Sequence, residues 1–195
     1  VSIELAAMDV SSYEDSERAI GEIAEKYGAV EILVNCAGIT RDGTLKKMPE
    51  ANWKAVMATN LDSAFNTTRH VINGMLDKGW GRVINIASVN GQRGQFGQAN
   101  YSAAKAGMHG FTMAVALETA AKGITVNTVS PGYIATPMTE AMPEKVLEAI
   151  INSVPMRRMG TPEEIANTVA WLASEGNGYT TGANIPVNGG LFTSH

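Results

Sequence analysis

Tyr101 and Lys105 stand four residues apart in a stretch, Asn100 to Lys122, whose apolar residues recur at helical spacing without a proline. On a helix the two lie one above the other on one face. An ammonium that close favours phenolate over phenol, so it is expected to draw Tyr101 down from the reference value of about 10 and make it a candidate general acid/base. Ser88 follows an apolar run, Val83 to Ala87, that reads as a buried strand. Its hydroxyl is then expected at the strand's carboxyl end, where open parallel sheets bind ligands. There it can hydrogen-bond a substrate carbonyl oxygen and steady the charge that grows on it as hydride reaches carbon. Tyr-x-x-x-Lys alone is a weak signal, since an exposed aromatic beside a lysine stem is commonplace. A serine at a strand end, with twelve residues between it and the tyrosine, strengthens it.

The elements that must hold these groups can be read in order. Ile3 to Val10 is an apolar run that predicts a strand, and Ser11-x-x-Glu14 predicts a capping box for a helix reaching Tyr27-Gly28. Glu31 to Asn35 predicts the next strand, leading into the small residues Asn35-Cys36-Ala37-Gly38, which let backbone approach a ligand. Cys36 is expected as a small buried hydrophobe, not a nucleophile. Arg41-Asp42-Gly43 sits in a loop where Asp42 can serve as a turn residue. Pro49 suits the first turn of one long helix that runs past Trp53, Asn60 and Phe65 and stops at Gly79. After the Ser88 strand and the Tyr101 helix, Ile124 to Ser130 predicts a strand entering Pro131-Gly132. Pro137 to Pro155 reads as a helical segment with Met138, Met142, Val146, Leu147, Ile150 and Ile151 on its apolar side. Thr161-Pro162-Glu163-Glu164 is a helix start with cap, N1 proline and N3 glutamate, and Asn184 to Val187 is a last strand. Strands alternating with helices predict a doubly wound α/β parallel sheet.

With 195 residues, 45% of them hydrophobic, the chain suits a single domain over 1–195. A net charge of −4 without a basic run argues against nucleic acid or anionic membrane as partner. One cysteine cannot form an intrachain disulfide, and no apolar stretch approaches a membrane span, so a cytoplasmic setting is expected. No His/Cys/carboxylate spacing suggests a metal. His109, on the Tyr101 helix, reads as structural or as a subunit contact, and the absence of Gly-x-Ser-x-Gly speaks against a serine hydrolase.

Ser-x12-Tyr-x3-Lys, with the flanking motifs, resembles the short-chain dehydrogenase/reductase family. The resemblance implies a Rossmann-type sheet and a nicotinamide cofactor, with Ser88, Tyr101, Lys105 and Asn60 as the catalytic set. By the same resemblance Asn60 holds a water that passes protons to the active-site lysine. Asp9, Asn35, Ala37, Gly38, Tyr101, Lys105, Pro131, Gly132, Ile134 and Thr136 are implied to meet the cofactor. For Asp9 the competing reading is an ordinary cap of the strand-end turn. Cys36 departs from the family's Asn-Asn-Ala-Gly. A mobile lid is implied at about 137–155, against core packing as the other reading. No Thr-Gly-x-x-x-Gly-x-Gly occurs. The likeness therefore starts at the family's third strand, with the first two strands and the glycine-rich loop absent, and an N-terminally incomplete chain is expected over a working truncated enzyme.

Within the family, the run Val89 to Tyr101, with Ala37 to Asp42 and Ser130 to Thr136, resembles acetoacetyl-CoA reductases. That implies NADPH, with NADH less favoured, and reduction of acetoacetyl-CoA to (R)-3-hydroxybutyryl-CoA. Asp42, Ser88, Gln95, Phe96, Gln98, Tyr101 and Tyr133 are implied to meet this acyl-CoA; for Gln95 and Gln98 solvated loop is the bland alternative. The competing functions are a 3-oxoacyl-acyl-carrier-protein reductase and a catalytically silent assembly subunit. A homotetramer built through the Glu50–Lys78 and Asn100–Lys122 helices and the last strand is implied.

Overall fold

The computed structural model describes residues 3–136, 139 and 143–193. Four parallel strands, β1 (Ile32–Asn35), β2 (Gly81–Ile86), β3 (Ile124–Pro131) and β4 (Asn184–Val187), lie in the order β1-β2-β3-β4. Between them run α2 (Glu50–Met57) and α3 (Ser63–Lys78), then α4 (Val89–Arg93) and α5 (Ala99–Thr119), then α6 (Glu144–Ser153) and α7 (Pro162–Ala173), while α1 (Tyr13–Tyr27) precedes β1. This is an α/β sheet of the Rossmann type, and helices cover both faces. Val83 and Val126 pack with Ile20, Val71, Met75 and Ala116 on one face, and Ile84 and Val129 with Leu172 on the other. Strands buried on both sides read as continuous apolar runs, which is why Val83 to Ala87 is recognisable without alternation.

Three local departures from the sequence reading matter. The first apolar run, Ile3 to Val10, forms no strand: Ile3 and Leu5 are exposed, and among the described residues no strand stands beside the run to accept its backbone hydrogen bonds. β1 is accordingly an edge, with Ile32 and Val34 exposed. The cap of α1 is Ser12, not Ser11; its Oγ accepts from Asp15 N at 3.1 Å while the Asp15 carboxylate reaches back to Asp9 N at 2.6 Å. The reciprocal box therefore does not form: Ser12 N donates to Asp9 O, the Asp15 carboxylate accepts from Asp9 N, and the Asp9 carboxylate accepts from Ser11 N and Oγ. Third, the long helix after Pro49 is interrupted by one π turn, Ala58–Asp62, at Asn60.

Glu144–Ser153 is helical and buries none of its residues, which does not fit the core-packing reading of that segment. Met138 and Met142 lie outside the described residues. The start of α7 is as expected: Thr161 Oγ1 accepts from Glu164 N, the Glu164 carboxylate accepts from Thr161 N, and Pro162 is N1. Gly79, at φ 67, ends α3.

Candidate active site

The carboxyl end of β2 and the first turns of α5 enclose a cavity of about 290 Å³. Its walls are Cys36, Gly38 to Thr40, Ile86 to Ser88, Tyr101, Lys105 and Pro131-Gly132. Ser88 caps α4, with Oγ accepting from Asn90 N at 3.1 Å. That bond takes a lone pair and leaves the serine proton to be given away. Burial, the largest effect, holds Tyr101 above its ordinary value; the Ser88 hydroxyl, which reaches the phenol, draws it down, and the Asp42 charge raises it further. This corrects the expectation of a tyrosine lowered by its lysine. Lys105 Nζ stands 5.8 Å from the centre of the Tyr101 ring and donates to Ile86 O at 2.7 Å. Lys105 is only 3% exposed, and that burial lowers it to about 8. Thus at neutral pH a protonated phenol and an ammonium share the cavity, a state suited to giving a proton.

Asn60, fully buried on the π turn, clasps one residue at both ends: Oδ1 accepts from Ile39 N at 2.8 Å and Nδ2 donates to Ile39 O at 2.9 Å. Single π turns within α-helices are frequent at functional sites. The clasp sets the wall beside Gly38, where an added Cβ would lie 3.4 Å from Asn60 Oδ1 and 3.7 Å from Lys105 Nζ.

The other candidates divide. Gly132 N donates to Val187 O, and a Cβ on Gly132 would come within 2.8 Å of Asn188 Cα, so only glycine lets the Pro131-Gly132 turn sit down on the end of β4. Thr139 Oγ1 donates to Ile134 O and accepts from Thr136 N. Asn35 turns its amide into the sheet, to Asn85 Oδ1 at 2.8 Å, and accepts from Thr67. Asp9 is exposed and spends its carboxylate on Ser11, the turn-cap arrangement. Gln98 bonds Asp42 and Asn90 at 3.0 Å each, Gln95 is exposed, and Phe96 is 87% exposed. Tyr133 lines a neighbouring cavity with Val154, Met156 and Asn188. Ser88, Tyr101 and Lys105 thus share one cavity, whose lining includes neither Asn60 nor Asp42, Gln95, Phe96, Gln98 and Tyr133.

Two residues gain a place that the sequence did not give them. Cys36 is exposed on the cavity wall, which corrects its expected burial; the turn after β1 faces the cleft, not the core. Asn90 joins Ser88 to Gln98. Burial holds His109 below its ordinary value, and its Nε2 meets Ser130 Oγ at 3.2 Å. Among the described residues no group of three His, Cys, Asp or Glu could hold a metal, and no helix is long and apolar enough to cross a membrane.

A family model described as enoyl-(acyl carrier protein) reductase matches residues 2–192. The chain is a short-chain dehydrogenase/reductase. It is 65% identical over 184 residues to an acetoacetyl-CoA reductase of Allochromatium vinosum, a match covering 94% of this chain and 75% of that one. Similarity to the acetoacetyl-CoA reductase of Cupriavidus necator is 56% over 183 residues, covering 94% and 74%. A 3-oxoacyl-[acyl-carrier-protein] reductase of Vibrio cholerae is 48% identical over 186 residues, covering 95% and 76%. As a member of this family, the chain is an oxidoreductase that works with a nicotinamide cofactor.

Proposed function

We propose that this short-chain dehydrogenase/reductase uses NADPH to reduce acetoacetyl-CoA to (R)-3-hydroxybutyryl-CoA. The observation that carries the reading is one cavity holding Ser88, a protonated Tyr101 and a buried Lys105. The higher identity to acetoacetyl-CoA reductases than to the carrier-protein reductase supports the CoA thioester as substrate.

The residues present fit a nicotinamide cofactor. Lys105 has three donors, of which Ile86 takes one, so its ammonium suits the hydroxyls of a ribose. Gly38 and the Pro131-Gly132 turn give backbone walls that a flat ring can approach. When bound, the cofactor supplies the hydride. Ser88 and Tyr101 hold the ketone oxygen, and Tyr101 gives its proton to the forming alkoxide. Lys105 steadies the phenolate left behind, and Asn60 shapes the wall from which the proton is replaced. Asp9, Asn35, Ala37, Ile134 and Thr136 complete the cofactor side of the proposal, and Asp42, Gln95, Phe96, Gln98 and Tyr133 the acyl side. The exposed apolar faces of α3 and α5, with Phe65, Met113 and Leu117, support assembly of copies into a homotetramer. The single cysteine suits the cytoplasm.

The test is NADPH consumption with acetoacetyl-CoA against the carrier-protein thioester at equal concentration. Preference for the CoA thioester supports the proposal; preference for the carrier-protein thioester transfers the chain to the other reductase activity.

A further inference from the structure

The loop after β1 is already joined to the loop before α5 and to the first turn of that helix. Gly43 N donates to Gly97 O at 2.8 Å, and Asn100 Nδ2 to Arg41 O at 3.0 Å. A side-chain relay runs beside these bonds. Gln98 Nε2 donates to Asp42 Oδ2, and Asn90 Nδ2 donates to Gln98 Oε1, each at 3.0 Å. A carboxylate only accepts, so Asp42 fixes the direction of the whole relay. Gln98 must turn its NH₂ outward to Asp42 and its oxygen inward, and Asn90 must answer with its own NH₂. The result is that Asn90 Oδ1 faces inward, buried, with no partner among the described residues. Leaving an acceptor so costs free energy. Since the loops are pinned without it, the relay's effect falls on Asn90, and Asn90 holds the catalytic serine through its N–H.

We propose that Asn90 is a positioning residue of the reductase, whose amide, oriented from Asp42 through Gln98, fixes the turn that aims the Ser88 hydroxyl. The inference rests on the reading of Ser88 as the group that holds the substrate ketone. Nothing in it requires Asn90 to touch substrate. Reversing the polarity of the relay then breaks it from one end and mends it from both. In Asn90→Asp the new carboxylate meets Gln98 Oε1, and turning Gln98 over sets its oxygen against Asp42. In the Asp42→Asn background Gln98 can turn over freely, donating to the carboxylate at position 90 and accepting from the amide at position 42.

The experiment is a double-mutant cycle on the whole protein, wild type, Asn90→Asp, Asp42→Asn and both together, read in kcat and KM for acetoacetyl-CoA and in urea unfolding. Asn90→Asp is expected to lower kcat about tenfold in the wild-type background with KM for NADPH unchanged, and less than about twofold in the Asp42→Asn background. The unfolding midpoints are expected to be non-additive in the same sense. Equal losses in both backgrounds, or no loss in either, with additive midpoints, overturn the relay. A wild-type protein that leaves acetoacetyl-CoA untouched overturns the functional reading instead, and the midpoints then decide the relay by themselves.

Discussion

Lys105 Nζ donates to the carbonyl of Ile86 across 2.7 Å, so the helix that carries the tyrosine is tied to the end of the strand that leads to Ser88. The bond joins the two elements that must agree for one ketone oxygen to meet both hydroxyls. It also holds an ammonium in a place where burial works against it.

That burial sets a pH dependence. Lys105 is lowered to about 8, so kcat/KM for reduction is expected to fall as pH rises through about 8, where the free enzyme loses this proton. A profile flat from pH 7 to 10 would contradict the assignment.

The same shift has a stability consequence with a definite sign. Between about 8 and 10.5 the unfolded chain binds the lysine proton and the folded chain does not, so stability from this group rises with pH over that window and is lost below it. The stability of Lys105→Met relative to wild type is expected to fall by up to about 3 kcal/mol between pH 7 and pH 10.5, on top of a pH-independent cost for losing the bond to Ile86 O. Paired urea titrations at both pH values measure it.

Asn60 satisfies both backbone groups of Ile39 from a fully buried position. Asn60→Ala removes both bonds at once, and a loss of about 2–4 kcal/mol in urea unfolding is expected, together with a lower kcat. Asn60→Asp can keep the bond to Ile39 N but sets a buried carboxylate oxygen against Ile39 O, and should cost at least as much as Asn60→Ala.

Gly132→Ala forces a methyl against the Asn188 backbone. Displacement of the turn is expected to raise KM for NADPH and cost about 1–3 kcal/mol of stability, read by titration and by melting.

Phe96 projects into solvent, so Phe96→Ser should leave stability within about 0.5 kcal/mol. If this ring folds over the acyl group, KM for acetoacetyl-CoA rises in the variant while KM for NADPH stays. An unchanged KM for both would remove Phe96 from the substrate set.

Much of this is legible in the sequence because its cause is local. Thr161, Pro162 and Glu164 signal a helix start through bonds that span one turn, and the structure forms both of them. Tyr101 and Lys105 share a face by helix geometry alone. What is not legible depends on neighbours distant in sequence. Ile3 to Val10 has a strand's composition, yet a strand also needs an adjacent backbone, and none is present among the described residues. Cys36 has the residue type of the core, but β1 ends beside the cleft and leaves it outside. The Tyr101 proton cannot be placed from spacing either: four residues put a lysine near, while the depth of the cavity decides that burial outweighs any attraction. The π turn has no composition of its own, and the mid-helix asparagine is its one trace.

The most direct measurement is NADPH consumption with acetoacetyl-CoA by the wild-type protein and by Tyr101→Phe, with the configuration of the product determined. Turnover to (R)-3-hydroxybutyryl-CoA, reduced about 10²–10⁴-fold in the variant with NADPH binding retained, is the expected result. A Tyr101→Phe protein that reduces acetoacetyl-CoA as fast as wild type would contradict the account.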